Sequence, residues 1–152
     1  MAYTNPGPAV TNNPNSVAVV TPVNTPSNPV VQGANGYRLL AVAKGVNANA
    51  VADTAMPVIN STSYSVLLVI KVNASISLTT AVGGVYTAAA AGGTAVLTPA
   101  ALSGNTGATV VVATAPTTTA VQTAQTLYWR ISTAQGAAAT VDILIYGYDF
   151  SA

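Results

Sequence analysis

The stretch Tyr64-Ser-Val-Leu-Leu-Val-Ile-Lys-Val-Asn-Ala-Ser-Ile-Ser-Leu78 decides how the chain folds. Its even positions, Tyr64, Val66, Leu68, Ile70, Val72, Ala74, Ile76 and Leu78, are all apolar. Its odd positions are Ser65, Leu67, Val69, Lys71, Asn73, Ser75 and Ser77. Successive side chains of a strand point to opposite faces, so an apolar period of two marks a β-strand with one buried face. Fully extended, the stretch would run about 50 Å. That is long for one strand, and a bend or bulge is expected near Asn73.

The same alternation recurs toward the C-terminus. Leu127, Trp129 and Ile131 alternate with Tyr128, Arg130 and Ser132, and Val141, Ile143 and Ile145 alternate with Asp142, Leu144 and Tyr146. A hairpin turning about Gly136 would set Ile131 against Val141, Trp129 against Ile143 and Leu127 against Ile145. The same register brings Arg130 opposite Asp142 as a structural ion pair. Further strands are expected at Tyr37–Lys44, Met56–Ile59, Val82–Ala88, Ala95–Leu97 and Ala108–Thr114, rich in Val, Thr and Ile and separated by Gly and Asn. Thr98 as N-cap and Pro99 at the first helical position suggest one short helix through Leu102. The Ala and Gly run from Ala88 to Gly93 reads as a loop or a close backbone approach. Together these give an all-β fold, an antiparallel β-sandwich or barrel of jelly-roll-like kind, over residues 37–152.

Residues 1–36 differ. They hold Pro6, Pro8, Pro14, Pro22, Pro26 and Pro29, six of the nine prolines in the chain. Proline removes a backbone donor, fixes φ and pushes the residue before it toward extended geometry, so neither a helix nor a central strand is expected here. An extended arm is expected, with a reach of about 75 Å over residues 6–29 at roughly 3.1 Å per residue. The β-branched side chains Val17, Val19, Val20, Val23, Val30 and Val31 suit an arm that orders against a neighbouring subunit better than a bare linker. A disordered tail is the alternative. The opening Met1-Ala-Tyr-Thr-Asn-Pro has neither the basic nor the apolar region of a signal peptide.

Charge narrows the function. The chain carries only Arg38, Lys44, Lys71 and Arg130 against Asp53, Asp142 and Asp149, with no His and no Cys. At 5% charged residues it sits far below the roughly 25% of an ordinary globular domain. Four scattered cations cannot neutralise a run of phosphates, so no nucleic-acid partner is expected. The longest weakly apolar stretch, Ala81 to Leu97, is interrupted by Gly, Thr and Tyr, so no membrane span is expected.

Nucleophile systems built on Ser-His or Cys-His pairs cannot be assembled, and ordinary zinc sites lack their ligands. Asp53 follows Asn47-Ala48-Asn49-Ala50, oxygen-bearing residues, but the spacing matches no calcium loop. The pairs Gly83-Gly84 and Gly92-Gly93 lack the Lys-Ser or Lys-Thr of a phosphate loop. No catalytic residue, cofactor or metal is expected. The aromatics Tyr128, Tyr146, Tyr148 and Phe150 occupy the even positions of the last two strands, opposite Trp129 and the isoleucines. Burial of both faces within one domain is one reading of this pattern; the other, which the scarcity of charge favours, is a sheet face that meets another subunit.

A proline-rich arm, a charge-poor domain of Ala, Thr, Val and Gly, and the terminal run Ile143-Leu144-Ile145-Tyr146-Gly147-Tyr148-Asp149-Phe150 together resemble the virion proteins of tailed bacteriophages. They resemble most the small decoration, or cement, proteins of the capsid surface. The resemblance implies a β-rich homo-oligomer, with a trimer favoured, made in the host cytoplasm. It would bind the major capsid protein and bridge neighbouring subunits of the shell. Other virion components (minor coat, tail or fibre subunits) and bacterial surface or adhesin subunits are the competing expectations. An outer-membrane barrel and an enzyme or small-ligand binder fit less well.

Overall fold

A computed structural model describes residues 36–151. The arm valines Val17, Val19, Val20, Val23, Val30 and Val31 lie outside the described residues. Eight strands follow one another: β1 (Tyr37–Asn47), β2 (Asp53–Pro57), β3 (Tyr64–Val72), β4 (Val82–Ala88), β5 (Gly92–Ala101), β6 (Val112–Thr114), β7 (Thr126–Thr133) and β8 (Thr140–Asp149). They form two antiparallel four-stranded sheets, ordered β1-β8-β3-β6 and β2-β7-β4-β5. The first strand pairs with the last, the second with the seventh, the third with the sixth and the fourth with the fifth. A ribbon of four such pairs wrapped into two sheets is a jelly roll. The fold is an all-β sandwich, as the alternation requires. Among the described residues there is no helix.

The core lies between the sheets. Leu127, Trp129 and Ile131 of β7 face Val141, Ile143 and Ile145 of β8 across it, all buried. The expected C-terminal hairpin is therefore corrected. β7 pairs with β2 and β4 in one sheet, while β8 pairs with β1 and β3 in the other. The chain between them crosses the sandwich, turning through Gly136 at φ 87°. Alternation says that two strands share a core, and facing strands of a sandwich satisfy it as well as neighbours in a sheet do.

The ion pair expected between Arg130 and Asp142 falls with that hairpin. Arg130 Nη1 instead donates to Asp53 Oδ1 at 2.9 Å, because β2 places Asp53 directly opposite Arg130. Asp142 accepts from the Asn73 side chain and the Gly45 backbone N–H, both at 2.7 Å. Those two donors hold its carboxyl below the usual carboxylate range, against the opposing effect of burial.

The stretch Tyr64–Leu78 bends where expected, with β3 ending at Val72 and Asn73 in left-handed geometry at φ 58°. A register shift between Val66 and Leu68 was not legible. Before this bulge Tyr64 and Val66 point into the core, and after it Val69 and Lys71 do. One extra residue exchanges the two faces. Leu68, Ile70 and Val72 thus move to the outer face, while Lys71 is carried inside at 3% exposure.

The helix expected from Thr98 is also absent: β5 continues through Ala101, pairing Ala100 with Gly83 and Ala101 with Val82. The Thr98 N–H meets Thr117 Oγ1 instead of starting a helix. β5 is the edge of its sheet, where Pro99 is tolerated for lack of a required donor. Between β4 and β5 the Ala-Gly run makes a tight turn, closed by Gly92 N–H on Ala89 C=O at 3.0 Å. Ala90 and Ala91 at its centre have φ of 58° and 63°, the two left-handed positions of a type I′ hairpin turn.

Candidate interaction surface

The outer face of the sheet β1-β8-β3-β6 collects the apolar side chains that the core leaves out. Its residues follow from register: Tyr148 lies between Tyr37 and Ser65, Tyr146 between Leu39 and Leu68, and Leu144 between Val42 and Ile70. Tyr37 stacks on Tyr146 with ring centroids 5.9 Å apart and planes 15° from parallel. It meets Tyr148 edge-on at 6.0 Å, and Phe150 tilts against Tyr148 at 6.4 Å. Three of these rings are open to solvent, Tyr37 by 50%, Tyr148 by 43% and Phe150 by 47%. At roughly 200 Å² per aromatic side chain, they present on the order of 300 Å². Covering that area would contribute about 7 kcal/mol before ordering costs.

A partly buried polar latch lies behind the rings, with Asp149 at its buried end. Arg38 Nε and Nη2 donate to Asp149 Oδ2 at 3.0 and 2.8 Å. Nη2 also reaches the carbonyls of Ile59 and Asn60 at 2.6 and 2.8 Å. Ser61 Oγ and the Ser151 N–H donate to Asp149 Oδ1 at 2.7 and 2.9 Å. Burial alone would raise the Asp149 pKa, but the hydrogen bonds from Ser151, Ser61 and Arg38 outweigh it and hold the carboxyl at about 2. The latch ties the start of β1, the β2–β3 connection and the end of the described chain together. Because Tyr37 adjoins Arg38, and Tyr148 and Phe150 flank Asp149, the latch also fixes the rings.

Of the four aromatics singled out from the sequence, Tyr146, Tyr148 and Phe150 come together here. Tyr128 does not: β7 carries it on the outer face of the other sheet, opposite Ala55 and Tyr86. Tyr37 is the member that the sequence reading missed, and its signal was a tyrosine opening an alternating run just after Gly36. The contribution of Leu68, Ile70 and Val72 depends on the β3 bulge, which leaves no mark in the residue pattern.

The remaining acidic residue works structurally. Asp53 accepts from Arg130 and, at 2.6 Å, from the Ala90 N–H. Its burial would raise its pKa, and these two donors bring it below the usual carboxylate range instead. The carboxylate therefore bridges β2, β7 and the β4–β5 turn. No protein-family model matches the chain, and neither do any curated protein or solved structure.

Proposed function

We propose that this chain is a structural virion protein, a decoration or cement subunit that binds the capsid surface and stabilises the shell by bridging neighbouring subunits. The observation that carries the reading is the exposed aromatic and aliphatic face of the sheet β1-β8-β3-β6 on a domain almost without charge. Surfaces so poor in charge favour association, and a protein that spends its life packed against others gains from that. The jelly roll is an architecture used by viral capsid domains and by lectins alike, so it supports the reading only as an analogy of fold. Homo-oligomers, with the trimer favoured, present several copies of the same face. Multivalency then converts modest contacts with the major capsid protein into a bridge that resists internal pressure. No catalytic or cofactor chemistry enters this mechanism.

Co-expression with the major capsid protein encoded in the same genome tests it. The chain should sediment with assembled shells at a fixed stoichiometry and raise the temperature at which they rupture. Shells that leave it in the supernatant at every protein concentration would overturn the proposal.

A further inference from the structure

The two open sheets end in four edge strands, β1 and β6 on one, β2 and β5 on the other. A strand edge offers unpaired N–H and C=O groups to any second chain, and bulges, charges, prolines and covering segments are what prevent pairing there. Three of the four edges carry such guards. β1 is broken by register shifts between Leu39 and Ala41 and between Ala43 and Val46, and it exposes Lys44. β2 carries Pro57 and the charge of Asp53. β5 carries Pro99, and Thr117 lies along it, with its N–H on Val96 C=O at 2.7 Å and its Oγ1 taking the Thr98 N–H at 2.8 Å. β6 has no guard: its register against β3 is unbroken, and no charged residue occurs from Thr106 to Gln125.

The ladder shows which groups of β6 are free. The Phe150 N–H on Ser63 C=O sets Ser63 and Ser65 as the residues of β3 that bond β8. The one-residue bulge passes that role to Leu68, Ile70 and Val72, so Val69 and Lys71 are left to bond Thr114 and Val112 of β6. Val111 and Ala113 therefore turn their N–H and C=O groups away from β3, and among the described residues these groups have no partner. Val111 is 61% exposed, and Ala113 and Ala115 are exposed as well.

We infer that the edge of β6 is a self-pairing site, where β6 of a second copy adds antiparallel about a two-fold axis at Ala113 and joins the two sheets edge to edge. Three features name a second copy as the occupant. A two-fold contact brings each residue near its own symmetry mate, so any charge would oppose its like, and the charge-free run Thr106–Gln125 avoids that. Setting Ala113 against Ala113 also brings Val111 opposite Ala115, a large side chain against a small one. Finally, Ala113 stands beside Ile70, and Ile70 beside Leu144, so pairing runs the apolar outer faces of two copies into one surface. A contact of so few residues lies far below the roughly 1,200 Å² of a stable dimer. The inference thus rests on the proposed assembly role: the edge fills where attachment already holds copies side by side, and it links one oligomer to the next.

The absence of native cysteine lets single cysteines report the register. In a bonded antiparallel pair the Cα atoms lie about 5.5 Å apart, within disulfide reach. Full-length Ala113→Cys, mildly oxidised in concentrated solution, should form a linked dimer at least about tenfold faster than Val121→Cys, an exposed position outside β6. Tagged Val111→Cys mixed with untagged Ala115→Cys should give the mixed dimer. Val111→Cys alone should stay at the Val121→Cys rate, because its two copies would sit about 14 Å apart. Adding Val111→Lys to Ala113→Cys should return the rate to that background, since a lysine guards the edge. All these positions are exposed, so the variants should melt with the wild type. Equal rates at Val111→Cys, Ala113→Cys and Val121→Cys would mean chance collision and overturn the site. Fast self-linking of Val111→Cys would overturn the axis at Ala113. Either failure leaves the assembly role standing, since co-sedimentation with shells tests that separately.

Discussion

Replacing Lys71 with Met should stabilise the protein. The β3 bulge turns this side chain into the sandwich at 3% exposure, where Nζ donates to Thr114 Oγ1 at 2.6 Å. Among the described residues neither ion pair includes it. Burial disfavours the charged ammonium and lowers its pKa from the ordinary lysine value of 10.5. An incompletely satisfied buried polar group costs roughly 1–3 kcal/mol in measured proteins, and Met keeps the aliphatic stem while filling the same space. Lys71→Met should therefore gain about 1–3 kcal/mol at pH 7, or roughly 4–12 °C in Tm at about 4 °C per kcal/mol.

The sign of the pH dependence is diagnostic. A lysine whose pKa is lowered by folding binds its proton more tightly in the unfolded chain. Its penalty is therefore present in full below the folded pKa and fades as pH rises toward 10.5. The advantage of Lys71→Met should shrink as pH rises toward 10.5 in calorimetric or near-UV melts. A variant that melts below the wild type at pH 7, or an advantage that stays constant with pH, would refute the reasoning.

Other consequences of the geometry are as direct. Ala91→Gly should stabilise the β4–β5 turn by about 0.5–1 kcal/mol in chemical denaturation, since glycine relieves the left-handed strain at φ 63° while adding some unfolded-state entropy. A double-mutant cycle on Arg130 should show coupling of about 0.5–1 kcal/mol with Asp53 and none with Asp142. Asp149→Asn should cost about 1–3 kcal/mol by unpairing Arg38 and should weaken the near-UV circular dichroism of the clustered tyrosines. Because the folded pKa of Asp149 lies at about 2, below the ordinary aspartate value of 3.8, its stabilisation is intact above pH 3.8. It is lost as pH falls through 2, so an acid titration should hold the wild type folded to lower pH than Asp149→Asn.

What the sequence made legible follows from what alternation can and cannot encode. Val82–Ala88 stands as expected, and so does the start of β1 at Tyr37, directly after Asn35-Gly36. The core set Leu127, Trp129, Ile131, Val141, Ile143 and Ile145 was also readable, since side-chain parity fixes which face is buried. Pairing was not, because parity is the same whether β7 and β8 lie side by side or face to face. Arg130 followed the pairing, and its true partner Asp53 lies in a strand too short to announce its register. Local signals failed where distant contacts won: Thr98-Pro99 resembles a helix start, yet β4 draws those residues into a strand. The interaction surface was half visible. The even positions of β8 gave Tyr146, Tyr148 and Phe150, whereas Leu68, Ile70 and Val72 reach that face only through a one-residue bulge.

The measurement that bears most directly on the account is the native mass of the full-length chain by light scattering, beside that of Tyr148→Glu and Phe150→Glu. Both positions are open to solvent, so the variants should keep the fold while placing a charge on the aromatic face. A closed oligomer, with a trimer favoured, that falls to monomer in either variant is the predicted result. A wild type that stays monomeric at every concentration, or an oligomer that both variants leave intact, would contradict the claim that this face holds the assembly together.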